Sequence, residues 1–316
     1  EGEIMLEEKF EFYSPYNVSI HDLDPDLQNS LSVMHNLDFL TQKHSQNVGN
    51  LTARICTYMH FNSKFILHCL IAGYIHDVGK LFIDPKILHK NGKLTPEEFE
   101  IMKTHTTKGY EYCMKDHNLM YYSDGPWYHH EALNGTGYPR GLTKKDIPLS
   151  AQIIRVADEY DALVTKRHYK THVNISETLK DMIADTEPPK NIVALDFLKQ
   201  NQNLGKINKK PLKALFKVVI DDILYEISGI TNYINYLKDQ LKRLRTVESY
   251  DKKIQSTRSE RTKEYYGTGM KMMLKPGETI ENYKQLITEF SDAIVAREDR
   301  IKQLYNEIKI IKKLRV

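Results

Sequence analysis

Ala72-Gly73-Tyr74-Ile75-His76-Asp77-Val78-Gly79-Lys80 is the stretch on which the reading of this chain turns. An apolar helix, expected from Phe65 to Ile75, ends there in an imidazole beside a carboxylate. Neighbouring helical residues project about 100° apart, because one turn takes roughly 3.6 residues. On that geometry His76 and Asp77 grip a single ion poorly. They suit a pair of ions, with the Asp77 carboxylate bridging and His76 capping one side. Such a pair needs ligands from elsewhere in the chain.

Working outward, Leu27, Leu31, Met34 and Leu37 step by three or four from Asp26, and His44, Val48, Leu51 and Ile55 share the buried face of the next helix. Asp22-x-Asp24-x-Asp26 has the spacing of a calcium loop but lacks its glycine and distant glutamate, so it reads as a solvated acidic turn. Downstream, Thr95-Pro96-Glu97-Glu98 starts a helix with a threonine cap, a proline at the first position and a glutamate three residues on. That helix runs through Phe99 and Met102 to His105 and on to about Met114. Trp127-Tyr128-His129-His130-Glu131 follows, then the glycine-rich loop Asn134-Gly135-Thr136-Gly137-Tyr138-Pro139. A long helix from about Pro148 carries Ile153, Val156, Asp158 and Leu163. Pro188-Pro189 breaks the pattern, and helices resume over Ile192 to Leu198 and Leu212 to Ile227. Alternating strand patterns are almost absent, so the fold class is all-α.

The tail has a different period. Ile230, Ile234, Leu237, Leu241 and Leu244 form one seam; Ile280, Tyr283, Ile287, Phe290, Ile294, Ile301, Leu304, Ile308 and Ile311 form another. A polar, basic stretch from Thr246 to Gly277 is expected to separate them. Two long coiled-coil-like helices follow, either packed on each other as a hairpin or on a second subunit or partner protein. The expected organisation is a polar lead-in over residues 1–25, a bundle over 26–228 and a helical extension over 229–316.

Composition narrows the class. The chain has 316 residues, 41% of them hydrophobic, enough for a substantial core. Its 45 basic and 42 acidic side chains leave +3, which points away from a nucleic-acid polymer as partner. The three cysteines, Cys56, Cys69 and Cys113, have no CxxC spacing and read as reduced thiols of a cytoplasmic protein. No apolar run reaches the roughly 18 residues of a membrane span, and no signal peptide is expected at Glu1-Gly2-Glu3. Membrane insertion is therefore not expected.

A lone buried histidine is ordinarily a hydrogen-bonded core residue. Here His44, His76, Asp77, His105, His129, His130 and Asp158 all fall on or at the ends of expected helices. Neutral imidazole and carboxylate suit iron, manganese, zinc and similar ions, and this set is too large for one site. Two metals about 3.5 to 4 Å apart suit phosphate-ester hydrolysis, because a bridging water becomes hydroxide near neutral pH while both ions neutralise the phosphate. Lys80, one turn beyond His76 on a helical reading, can reach a phosphate oxygen; its bland role is a solvated surface lysine.

In order and spacing, His76-Asp77-x-Gly79-Lys80, His105, His129-His130-Glu131, Asn134-Gly135-x-Gly137-Tyr138-Pro139 and Val156-Ala157-Asp158-x-x-Asp161-Ala162-Leu163 resemble the HD-GYP subgroup of the HD-domain metal phosphohydrolases. The similarity runs from about Asp38 to Phe216. It implies an HD-domain helical bundle and a bacterial phosphodiesterase that opens cyclic di-GMP to pGpG or onward to GMP. The implied metal ligands are His44, His76, Asp77, His105, His129, His130 and Asp158, with Asp77 and Lys80 carrying catalysis. Lys80, Asp161, Arg167 and Lys170 are implied around the substrate, and Tyr138 either contacts substrate or packs over its loop. Arg167 and Lys170 supply local cations for two phosphates that the net charge does not reveal.

Two positions depart from the family. Leu40 stands where members with three metals carry a glutamate, and leucine cannot ligate. Two ions are expected, iron or manganese, with hydrolysis stopping mainly at pGpG. Asn134 replaces an aspartate and removes a loop charge. Few residues precede the bundle, so regulation is expected from the tail, oligomerisation or partners. The alternatives are a hydrolase of another cyclic dinucleotide such as cyclic GMP-AMP, and a receptor that binds cyclic di-GMP and signals through the tail without turnover. The intact ligand set disfavours the receptor.

Overall fold

A computed structural model describes residues 23–168, 175–187 and 205–316. Among them there is no strand, only an isolated bridge between Asn134 and Thr143, and the chain is all-α as expected. The expected helix over Ile192 to Leu198 lies outside the described residues.

Helix starts follow their local chemistry. In α1 (Pro25–Leu31) the Asp24 carboxylate accepts from the backbone of Asp26 at 2.9 Å, which is what the aspartate-rich spacing accomplishes. Asp38 caps α2 (Phe39–Tyr58), and Asn62 caps α3 (Ser63–Tyr74). A short 3₁₀ turn, Val78–Phe82, follows α3, then α4 (Pro85–Leu88). In α5 (Pro96–Cys113) the capping box closes fully: Thr95 accepts from Glu98 N–H at 3.2 Å, and Glu98 accepts from Thr95 N–H at 2.7 Å. The short α6 (Asp124–Tyr128), α7 (Leu149–His168) and α8 (Ile175–Ala184) complete this part of the bundle.

Helix α2 packs on α3 and α7; α5 packs on the 3₁₀ turn and on α6. Val48, Ile55, Ile71, Ile75, Ile153, Ile154 and Ala157 fill the core between α2, α3 and α7. Ser63–Phe82 is long and apolar enough to cross a membrane, contrary to the expectation that no such run exists. Its apolarity has an internal use, since most of that segment is buried against α2, α6 and α7. Cys56, Cys69 and Cys113 are free and buried.

Contacts divide the chain into two compact units, with the division between Val219 and Ile220 inside the 48-residue helix α9 (Lys209–Ser256). In the unit from Ile220 to Lys313, α9 is joined by α10 (Glu260–Met273) and α11 (Tyr283–Lys313). The tail seams meet within one chain: Ile234, Leu237 and Leu241 pack with Ile287, Phe290, Ile294 and Ile301. A second cluster gathers Leu244, Val247, Met270 and Tyr283. Arg243 seals it, donating from both terminal nitrogens to Glu278 at 2.5 Å and to the Met273 carbonyl at 2.6 Å. The expected polar spacer from Thr246 to Gly277 is instead mostly helical. Its lysine, arginine and glutamate residues are good helix formers, and polarity alone did not make it a loop.

Candidate metal centre

Helix α3 stops at Tyr74, before the histidine. Asp77 has φ −98° and ψ 8°, outside helical geometry, and begins the 3₁₀ turn. This corrects the expectation that His76 and Asp77 diverge by the angle of neighbouring helical residues. The turn swings the two together, and His76 Nε2 lies 3.2 Å from Asp77 Oδ2, close enough to serve one ion.

Asp77 is the hinge of the arrangement. Its Oδ2 faces His76 and, at 3.7 Å, His44 Nε2, while Asp158 Oδ1 lies 3.1 Å from His44 and 3.8 Å from His76. Its Oδ1 faces the other way, 3.4 Å from His105 Nε2 and 3.9 Å from His129 Nε2. Two groups of ligand atoms result: His44, His76 and Asp77 on one side, and His105, His129 and His130 on the other. All seven expected ligands thus converge, from α2, α5, α7, the turn after α3 and the turn after α6.

The imidazoles are oriented by what holds their outer nitrogens. The Nδ1 of His76 donates to the Gly73 carbonyl at 2.7 Å, that of His105 to Met102 at 2.7 Å, and that of His129 to Gly125 at 2.9 Å. With Nδ1 protonated, a neutral ring presents the bare Nε2 lone pair inward. Burial pushes the imidazolium pKa of His105 and His129 down, and that of His130 to about 3, so these rings are neutral near pH 7. Burial works against the ionised forms of Asp77 and Asp158 as well. His76 and the Lys80 ammonium beside it nevertheless hold Asp77 well below the usual carboxylate range, and the hydrogen bond from His44 does the same for Asp158.

This donor set fits divalent cations. His105 Nε2 and His129 Nε2 stand 3.2 Å apart, two lone pairs facing each other once both Nδ1 atoms are donors. His76 Nε2 is buried without a hydrogen-bond partner. Lone pairs crowded around ionised carboxylates are what a cation relieves. His44 behaves differently: burial opposes its charge, but hydrogen bonds to Asp158 and Asp161 raise its pKa to about 10. Without a cation it holds a proton where a cation would sit.

Lys80 is drawn in by the same charge, its Nζ 2.6 Å from Asp77 Oδ2, and that carboxylate outweighs burial and keeps the lysine protonated. Lys80, His105, His130 and Tyr138 line an open cleft of about 350 Å³, together with Leu40 and His89. The Asp161 carboxylate is turned inward, 2.7 Å from His44 Nδ1 and 2.9 Å from Asn47 Nδ2, which makes it the orienting partner of His44. That role differs from the substrate contact implied by resemblance. The Arg167 side chain and all of Lys170 lie outside the described residues. Tyr138 stacks on the His130 ring with centroids 4.6 Å apart.

Residues 32–188 match the HD-domain family. Over 174 residues the chain is 37% identical to a cyclic di-GMP phosphodiesterase of Thermotoga maritima, covering 54% of this chain and 46% of that protein. A cyclic di-GMP phosphodiesterase of Pseudomonas aeruginosa is 33% identical over 50% of this chain and 38% of its own length. The matched region is an HD domain, and the HD-GYP motifs of the sequence fall within it. A 3′3′-cGAMP-specific phosphodiesterase of Vibrio cholerae is 32% identical over 45% of this chain and 33% of its own. The match therefore spans less than half the length of these relatives. The sequence reading named the residues that converge here but missed two supporting contacts, those of Asp161 with His44 and of Glu131 with the backbone N–H groups of Arg140 and Leu142. The short interval from Asp158 to Asp161, one helical turn on the same face, was the available signal for the first.

Proposed function

We propose that the chain is a metal-dependent phosphodiesterase that hydrolyses cyclic di-GMP, mainly to pGpG, with two ions, iron or manganese. The observation that carries this reading is the Asp77 carboxylate, which divides its oxygens between two groups of ligand atoms. Two divalent ions held there supply charge neutralisation for a phosphodiester and activation of water near neutral pH. The chain's own residues do the rest. His44, His76, Asp77 and Asp158 would hold one ion, and His105, His129, His130 and the second oxygen of Asp77 the other. Asp161 and the carbonyls of Gly73, Met102 and Gly125 fix the rings so that Nε2 points inward or stays available.

Lys80 lies at the boundary between the ligand set and the cleft, where its ammonium offers a charge-assisted hydrogen bond to a phosphate oxygen. Leu40 lines the same cleft and supplies no ligand atom, which supports two ions and a reaction ending at the linear dinucleotide. The Vibrio cholerae relative supports a second reading, hydrolysis of cyclic GMP-AMP by the same residues.

The test is direct. Protein reconstituted anaerobically with iron(II), or with manganese(II), is incubated with each cyclic dinucleotide and the products are separated by chromatography. Conversion of cyclic di-GMP to pGpG with two ions per chain is expected. Faster turnover of cyclic GMP-AMP would transfer the assignment to that substrate, and binding without turnover in either metal would make the chain a receptor.

A further inference from the structure

Four of the five imidazoles at the centre have an outer nitrogen tied to an oxygen: His76, His105 and His129 to backbone carbonyls, and His44 to Asp161. His130 differs. Among the described residues its ring makes no such hydrogen bond, and it is held by rings alone. Tyr138 lies against one face at 4.6 Å and 27°, and His105 meets it edge-on at 5.2 Å and 89°.

Tyr138 is itself fixed by a loop folded back on the histidine pair. Its N–H donates to the His130 carbonyl at 3.2 Å. A Cβ on Gly137 would fall 2.4 Å from that same carbonyl oxygen and 2.3 Å from Ala132 N, so only glycine lets the chain pass this close. The return of the loop is clamped by Glu131, which is 1% exposed and spends both carboxylate oxygens on backbone donors, Arg140 N–H at 2.9 Å and Leu142 N–H at 2.8 Å. On its outer side the Tyr138 ring is backed by Phe99, edge-on at 6.3 Å, and by the Lys103 ammonium at 5.7 Å.

We propose that Tyr138 and Glu131 are positioning residues for His130: the Tyr138 ring orients the imidazole by stacking, and Glu131 holds the loop that presents the ring. Neither supplies a ligand atom. Both act on the half of the centre formed by His105, His129 and His130, and the hydroxyl of Tyr138 is dispensable for this role. The inference rests on the metal reading above and deepens it.

The metal-free chain, residues 1–316, is dialysed to equilibrium against graded manganese(II), and bound metal is measured by elemental analysis. The parent chain and Tyr138→Phe are expected to show the same two sites. Tyr138→Leu keeps an apolar side chain but loses the flat face, and should weaken one of the two sites about 10- to 100-fold and spare the other. Glu131→Gln, which turns an amide N–H toward one backbone donor, should weaken the same site. If Tyr138→Leu does not fold by circular dichroism, Glu131→Gln carries the test. Equal weakening of both sites, or of neither, overturns the inference, as does loss in Tyr138→Phe equal to that in Tyr138→Leu. A parent chain that binds no manganese overturns instead the metal reading beneath it.

Discussion

At Gly79 one absent methyl group decides whether two ligands can meet. A Cβ there would stand 1.9 Å from the His105 carbonyl oxygen and 2.6 Å from Gly109 N, so the turn carrying Asp77 touches α5 backbone to backbone. Gly79→Ala must push these segments apart. It is expected to cost about 1 to 3 kcal/mol in thermal unfolding and to lower the manganese bound per chain. Asp161 acts through His44, so Asp161→Asn is expected to weaken manganese binding about 10- to 100-fold in equilibrium dialysis and, by removing one of the two carboxylates that hold the His44 proton, to lower the thermal stability of the metal-free chain near pH 7. At this scale the sequence showed which imidazoles and carboxylates gather at one place, because histidine and aspartate recur at helix ends in a recognisable order. It did not show that Asp161 turns toward His44, 117 positions away, because that depends on how α2 lies against α7.

Among the elements, α5 was the most legible. Threonine, proline and two glutamates in succession leave few alternatives to a helix start, and the capping box forms as the spacing requires. Thr95→Ala removes the acceptor for Glu98 N–H and should cost about 1 kcal/mol in thermal unfolding. Because the cap lies nearly three turns from His105, metal content should be little changed. The end of α3 was less legible. Apolar periodicity continues through Ile75 and gives no sign that the backbone leaves helical geometry there, yet that departure lets His76 and Asp77 face the same point. The tail shows the reverse error. A charged, tyrosine-containing run between two apolar seams suggested a spacer, but Glu260–Met273 is helical and Met270 joins the core of its unit.

For the molecule as a whole, proton and metal compete at His44. In the metal-free chain burial opposes its charge, yet the hydrogen bonds to Asp158 and Asp161 raise its pKa to about 10. Near pH 7 the entry of a cation therefore expels about one proton. Calorimetry in buffers of different ionisation heat should show that release, and manganese affinity should rise with pH until His44 deprotonates unaided. Stability of the metal-free chain follows the opposite sign. A raised folded pKa contributes stability that is full below the ordinary histidine value near 6.5 and is lost as pH climbs toward about 10. The thermal unfolding curves of metal-free and loaded protein should thus draw apart with rising pH. At a hundred times its dissociation constant, manganese should add about 2.7 kcal/mol. The all-helical architecture and paired tail seams were legible from periodicity at this scale. The pattern of apolar residues runs through the division inside α9, with Leu212, Leu215, Val219, Ile223 and Ile227 all buried.

The three cysteines are all buried, one each on α2, α3 and α5, the helices that carry or lead into His44, His76 and His105. Their sulfurs are out of reach of any reagent while those helices stay together, and burial keeps the Cys113 thiol from ionising, its pKa pushed up to about 12. The chain therefore carries its own stopwatch. A coloured disulfide added in excess can react only during the moments when the bundle breathes, and the pace of colour release counts those moments without any engineered label.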